Sequence, residues 1–192
     1  MDREFIQKYL KDFANLISLS SEITADLVCV KDVLVTASDN GKKVIIVGNG
    51  GSSAMASHVS VDLTKNAGIR CINFNESDLI TCFSNDYGYE KWVEKAVEFY
   101  GDEGDVFIGI SSSGSSENIL NGCRAAQKNN FSKVITFSGM EAKNPLRQLG
   151  DINIWVNSMA YNHIENIHQF WLLAVVDVII GKTVYSSNPA AS

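Results

Sequence analysis

Two stretches of helical spacing open the chain. Phe5, Tyr9, Leu10, Phe13, Leu16 and Ile17 recur at intervals of one helical turn, and so do Ile23, Leu27, Val30, Val33 and Leu34. Ser20 or Ser21 is placed to cap the second helix. After Lys43 the pattern changes. Val44 to Val47 is a short β-branched run that ends at Gly48, and similar runs follow at Cys71 to Phe74, Val106 to Ile110, Val134 to Phe137 and Ile152 to Val156. Each shows little alternation, as in strands buried on both faces. Helical segments are predicted between and after them, from Ser53 to Asn66, Tyr89 to Tyr100, Ser116 to Asn129 and Tyr161 to Val184.

Strands alternating with helices predict an α/β fold, a doubly wound parallel sheet of five strands with helices on both faces. The expected organisation is a single domain over residues 1–192. Residues 1–40 form an N-terminal helical arm, 41–185 the α/β core, and 186–192 a polar, small-residue tail that frays. Repeats, low-complexity tracts and flexible linkers are absent from the sequence, which has two prolines, Pro145 and Pro189.

Composition narrows the function classes. Apolar residues make up 45% and charged residues 20% of 192 residues, the balance of a soluble globule. The net charge of −6 comes without a basic run, so neither nucleic acid nor an anionic membrane is an expected partner. Met1 to Leu10 carries Asp2, Arg3, Glu4 and Lys8 and has no apolar core of a signal peptide, so a cytoplasmic location is expected. Cys29, Cys71, Cys82 and Cys123 show no paired spacing and read as reduced, mostly buried thiols.

Two loops at strand ends carry unusual chemistry. Gly48-Asn49-Gly50-Gly51-Ser52-Ser53 follows the first strand and opens a helix. Ser111-Ser112-Ser113-Gly114-Ser115-Ser116 follows the third and opens another. A helix N-terminus offers free N–H groups and partial positive charge, hydroxyls add neutral donors, and glycines admit close approach. Together they suit a phosphate monoester without lysine or arginine. The first loop lacks the Lys-Ser/Thr of a nucleotide-triphosphate loop. A dinucleotide site is the alternative, with Gly48 and Gly50 in place, Ser53 where a third glycine belongs, and Glu76 as the ribose acid.

Acid–base candidates cluster in two helices. His58 and Asp62 are spaced i, i+4, and Glu165 and His168 i, i+3, each pair sharing a face, with His163 near the start of the second helix. Such groups bind a divalent metal or exchange protons. The pair His58–Asp62 also reads as a surface ion pair. Asn85-Asp86 before Tyr87-Gly88-Tyr89 reads as a turn and helix cap, with Asp86 free to bond sugar hydroxyls.

Taken in order, the motifs Gly48-Asn49-Gly50-Gly51-Ser52, His58 with Asp62-Leu63-Thr64, Asn85 to Tyr89, Gly104 to Gly114 and Ile164-Glu165-Asn166-Ile167-His168 resemble the SIS (sugar isomerase) family. Within it they are similar to the sedoheptulose 7-phosphate isomerases, and the likeness spans about Lys43 to Ile180. The resemblance implies a flavodoxin-like three-layer sandwich. It also implies a homotetramer whose N-terminal helices pack centrally, with active sites completed by neighbouring subunits. It places Ser52, Ser111, Ser112, Ser113 and Ser116 around the substrate phosphate, and Asn49, Gly50 and Asp86 by the sugar. It makes His58, Asp62 and Glu165 ligands of a metal, often zinc, at one site per subunit, Asp62 the catalytic carboxylate, and Glu165 a group that also touches substrate. Asp62 stands where the best-known members have glutamate. Leu173 stands where a second catalytic histidine falls, eight residues after Glu165, and His168 is nominated in its place. The expected activity is aldose–ketose isomerisation of a phosphosugar, with a binding or adaptor protein of the same fold as the alternative.

Overall fold

A computed structural model describes residues 1–18 and 20–185; the tail expected to fray, 186–192, lies outside the described residues. The helical arm consists of α1 (Asp2–Ile17) and α2 (Ser21–Asp39), the second capped by the Ser20 hydroxyl, which accepts from the Ile23 amide at 3.3 Å. The core then alternates: β1 (Val44–Val47), α3 (Gly51–Lys65), β2 (Cys71–Ile72), α4 (Ser77–Tyr87), α5 (Trp92–Tyr100), β3 (Val106–Ser111), α6 (Glu117–Lys128), β4 (Lys133–Ser138), β5 (Ile152–Trp155) and α7 (Tyr161–Ile180).

All strand pairings are parallel, in the order β2-β1-β3-β4-β5. Successive strand residues face opposite sides. Val44 and Ile46 of β1, with Ile108 and Ile110 of β3 and Ile135 and Phe137 of β4, join the cluster under α2, α3 and α7. Ile45, Val47, Phe107 and Val134 join the cluster under α5 and α6. Each large apolar side chain so buried contributes about 1.5–3 kcal/mol. At the amino end, buried Asp105 accepts from the amides of Lys43 (3.0 Å) and Asp102 (2.9 Å), so one carboxylate ties the starts of β1 and β3 together.

The strand order reverses direction between β1 and β3. Their carboxyl ends diverge into helices on opposite faces, α3 and α6, and leave a crevice there, which is where ligands bind in sheets of this kind. Both serine-rich loops flank it.

Four sequence expectations are corrected. The stretch before Tyr89 is not a turn and cap: Asn85 and Asp86 lie in the last turn of α4, a helix that buries no residue. β2 stops at Ile72, short of Phe74, and α7 stops at Ile180, where Gly181 adopts the left-handed conformation. Of the four free thiols, Cys71 and Cys123 are buried but Cys29 and Cys82 are exposed.

Candidate active site

The two serine loops meet. Asn49 and Ser52 from the first, Ser111, Ser112, Ser113 and Ser116 from the second, and Tyr161 and Glu165 from α7 line one cavity of about 140 Å³. Pockets for drug-sized ligands run from about 300 Å³ upward, so this volume suits the head of a phosphate ester and is far too small for a dinucleotide. Glu76, the acid of that alternative, lines a different cavity with Phe74 and Tyr100.

The second loop is braced from behind. Gly114 has φ +67°, a conformation that favours glycine, and a β-carbon there would meet that of Asn144 at 2.7 Å. Asn144 is buried and donates to the Ser138 hydroxyl and the Gly139 and Glu141 carbonyls. The Gly139 amide donates to the Ser112 carbonyl at 3.0 Å and the Leu146 amide to the Gly114 carbonyl at 2.9 Å. Held in this way, Ser111 and Ser116 face each other with their hydroxyls 2.9 Å apart. The buried Ser112 hydroxyl has no hydrogen-bond partner among the described residues. An unpaired buried hydroxyl costs about 1–3 kcal/mol, and a phosphate oxygen in the cavity would satisfy it.

Asn49 is fixed by Asn118 and Tyr89, residues given no role in the site from the sequence. Its amide exchanges two hydrogen bonds with that of Asn118, both 2.9 Å, and its oxygen also accepts from the Tyr89 hydroxyl at 3.1 Å. One N–H of Asn49 stays free for a ligand. Gly50 is exposed, does not line the cavity, and has φ +55° as the chain turns into α3. Glu165 lies against the first turn of α3: a β-carbon on Gly51 would come within 2.7 Å of its carboxyl carbon.

A second group lies further along the seam between α3 and α7. His58 Nε2 is 3.4 Å from Asp62 Oδ2, and Asn66 donates to Asp62 Oδ1 at 3.0 Å. Gln169, one turn beyond Glu165, places its amide nitrogen 2.9 Å from His58 Nδ1. At about 1.5 Å per residue, Asp62 sits some ~15 Å along α3 from Ser52.

Other nominated residues fall elsewhere. His168 is completely buried, not in the cleft: its Nε2 bonds the Ser138 carbonyl at 3.0 Å and its ring packs edge-on against Phe137. Its pKa is driven down to about 4 by burial, partly opposed by that hydrogen bond. Its place in the catalytic set is therefore corrected. His163 faces α1, with its ring 4.2 Å from that of Tyr9. Asp86 is exposed, accepts from Asn85 at 2.9 Å and does not line the serine cavity.

The nominated metal ligands do not converge. Glu165, on α7, lies against the start of α3, the His58–Asp62 pair is turns away, and Nδ1 of His58 is already engaged by Gln169. Among the described residues no three His, Cys, Asp or Glu side chains are grouped to hold a metal ion. The donor set of the single chain does not fit zinc.

Residues 8–139 match the SIS domain. The chain belongs to the SIS-domain family. It is 33% identical over 189 residues to the phosphoheptose isomerase of Proteus mirabilis, covering 94% of this chain and 95% of that protein. It is 34% identical over 171 residues to that of Pectobacterium atrosepticum, covering 86% and 83%. A solved phosphoheptose isomerase from Francisella tularensis superposes with a TM-score of 0.87 at 26% identity, over 95% of this chain and all of that one. SIS enzymes of this branch are compatible with a metal cofactor, and among the described residues of this member no single helix is long and apolar enough to cross a membrane.

Proposed function

We propose that this SIS protein is a phosphosugar aldose–ketose isomerase that converts sedoheptulose 7-phosphate to the manno-heptose 7-phosphate. The observation that carries the reading is the meeting of both serine loops and Glu165 in one phosphate-sized cavity at the switch point of the sheet. The relatives that match most of the chain carry the name phosphoheptose isomerase, which supplies the carbon number.

In this reading the ester phosphate accepts from Ser111, Ser112, Ser113, Ser116 and Ser52 and from the first-turn amides of α6. The sugar chain extends along the α3–α7 seam past Glu165 towards Asp62. Asp62 takes a proton from C1 of the open-chain ketose, the C1–C2 double bond forms, and O2 gains a proton to give the cis-enediol. Loss of the O1 proton and return of a proton to C2 complete the aldose. His58, with its Nε2 3.4 Å from Asp62, is the group at hand to exchange the oxygen protons. No step passes through a metal.

The assembly proposed is a homotetramer in the cytoplasm, serving synthesis of a heptose-containing surface glycan such as lipopolysaccharide or capsule. Support for oligomerisation is the unburied helix α1, exposing Phe5, Ile6 and Leu10, and an apolar groove of about 750 Å³ along α7 lined by Phe170, Leu173, Ala174 and Val178. A neighbouring subunit on these surfaces would help close the long, open seam.

The second reading is a phosphosugar-binding or adaptor protein without turnover, favoured by Leu173 and by the burial of His168. A coupled assay with sedoheptulose 7-phosphate separates the two. Turnover that Asp62→Asn abolishes, with the ligand-induced thermal shift retained, supports the isomerase. A thermal shift with no turnover in the wild type supports the adaptor.

A further inference from the structure

We propose that Asn118 and Tyr89 are positioning residues, which together fix the Asn49 side chain as a hydrogen-bond donor to the bound sugar phosphate. The proposal rests on the isomerase reading for its kinetic test. Its structural content is a set of contacts around one carboxamide. Asn49 Nδ2 donates to Asn118 Oδ1 at 2.9 Å, Asn118 Nδ2 donates to Asn49 Oδ1 at 2.9 Å, and the Tyr89 hydroxyl donates to that same Asn49 oxygen at 3.1 Å.

Of these side chains, Asn49 lines the serine cavity and the other two do not. Asn118 lies in the first turn of α6 and is 2% exposed. Tyr89 stands on the single turn Tyr89–Lys91 that follows α4. Asn121, one turn beyond Asn118 on the same face of α6, donates to the Glu90 carbonyl in that turn at 2.9 Å. Helix α6 therefore holds both the Asn49 amide and the turn that carries Tyr89. Among the described residues, the paired amides are the side-chain hydrogen bonds that join the first serine loop to the helix opened by the second.

The donor role follows from what a carboxamide can offer. It has two N–H groups and one oxygen with two lone pairs. Both lone pairs of Asn49 Oδ1 are taken, by Asn118 and Tyr89, and one N–H is spent on Asn118. A single N–H is left for the cavity. Turning both amides over would keep the pair, but it would aim an oxygen lone pair at the anionic oxygens of the ligand, which repels. Without its partners the Asn49 side chain rotates freely, and it must be ordered again each time a ligand binds.

The test is a double-mutant cycle on the full-length protein. Asn118→Ala removes both amide bonds and adds no charge, and Tyr89→Phe removes a hydroxyl from an exposed position. Asn118→Ala should lower kcat/KM for sedoheptulose 7-phosphate about tenfold and Tyr89→Phe about threefold, mainly as a higher KM, since a donor to the phosphate end is equally present in the ground and transition states. In an Asn49→Ala background neither substitution should change kcat/KM more than about twofold, because nothing is left to position. A merely structural role would give the same losses in both backgrounds. Losses that multiply in the Asn49→Ala background overturn the proposal, and so does wild-type kcat/KM in a folded Asn118→Ala variant. If Asn118→Ala does not fold, Tyr89→Phe decides: a loss that vanishes with Asn49→Ala supports the proposal, and an absent or multiplying loss overturns it. If the wild type turns over no sugar phosphate, the isomerase reading falls, and the same cycle is read on the dissociation constant of sedoheptulose 7-phosphate from thermal-shift titrations. Coupling to Asn49 there supports the positioning role; its absence, or a wild type that binds no sedoheptulose 7-phosphate, overturns it.

Discussion

The carboxyl group of Glu165 rests on Gly51, the first residue of α3, so closely that a β-carbon on Gly51 would stand 2.7 Å from the carboxyl carbon. A carboxylate at a helix N-terminus is stabilised by the partial positive charge there, by about 0.3–1 kcal/mol and more where partly buried. The missing side chain at Gly51 is what lets α7 deliver this anion to the rim of the serine cavity.

Gly51→Ala should therefore separate stability from activity. Gly51 has no left-handed φ, and alanine in a helix gains roughly 0.5–1 kcal/mol over glycine. Set against that, the added methyl group must push Glu165 away from the cavity. The expected outcome is a melting temperature within a few degrees of wild type and kcat/KM lowered at least about tenfold. Steady-state kinetics beside a thermal melt checks it, and unaltered kinetics would remove Glu165 from the site.

Ser112 offers a test of opposite sign. Its buried hydroxyl lacks a partner among the described residues, so Ser112→Ala removes an unsatisfied group. Unliganded stability should stay level or rise by about 1 kcal/mol. The thermal shift produced by saturating sugar phosphate should shrink, because one donor to the phosphate is gone. Differential scanning fluorimetry with and without ligand reads both effects. A variant destabilised without ligand would mean that the hydroxyl has a structural partner.

The sheet and the presence of two serine loops at its strand ends were legible in the sequence for a physical reason. A strand buried on both faces, such as Ile45-Ile46-Val47, must be continuously apolar, and a loop that binds an anion with hydroxyls must concentrate serine where a strand ends. The helix α4 was not legible. Only Leu79, Ile80 and Phe83 pack against the core, and they do so partly buried, while Thr81 and Asn85 are weak helix formers, so the segment carried a faint signal. The direction of His168 was hidden too. Positions three and four residues after Glu165 both lie near its face, and only the buried stripe of Ile164, Ile167, Trp171 and Leu172 turns His168 inward and leaves Gln169 at the seam. Gln169, Asn118 and Asn144 carry amides that any surface can use. For Gln169 and Asn118 the importance arises from the distant partners His58 and Asn49, and for Asn144 from its packing on distant Gly114, to which a single sequence gives no clue.

Assembly is testable through α1. The helix buries none of its residues, although the Tyr9 and Phe13 rings reach His163 on α7. Phe5, Ile6 and Leu10 form an exposed apolar surface of the kind that marks an interface. Phe5→Glu combined with Leu10→Glu should reduce the mass found by light scattering after size exclusion, while far-ultraviolet circular dichroism keeps the core signal. If sites are completed between subunits, turnover should fall with the mass. An unchanged mass would place the interface elsewhere.

His168 predicts how stability varies with pH. In the unfolded chain its imidazole titrates near 6.5, and in the folded protein burial holds the value down to about 4, against the opposing hydrogen bond to the Ser138 carbonyl. Between these values the unfolded state binds a proton that the folded state refuses, so stability rises with pH across the window. The contribution is complete above pH 6.5 and drains away as pH falls towards 4. One pKa unit corresponds to about 1.4 kcal/mol, so the full effect is roughly 3 kcal/mol. Carboxylates elsewhere titrate in the lower part of the same range, and a variant isolates the histidine. His168→Gln keeps a donor for Ser138 and carries no titrating group. Urea unfolding at pH 7, 6, 5 and 4.5 should give curves for wild type and variant that diverge downward, the wild type losing more. Parallel curves would mean that His168 takes up its proton in the folded state and is not sealed in the core.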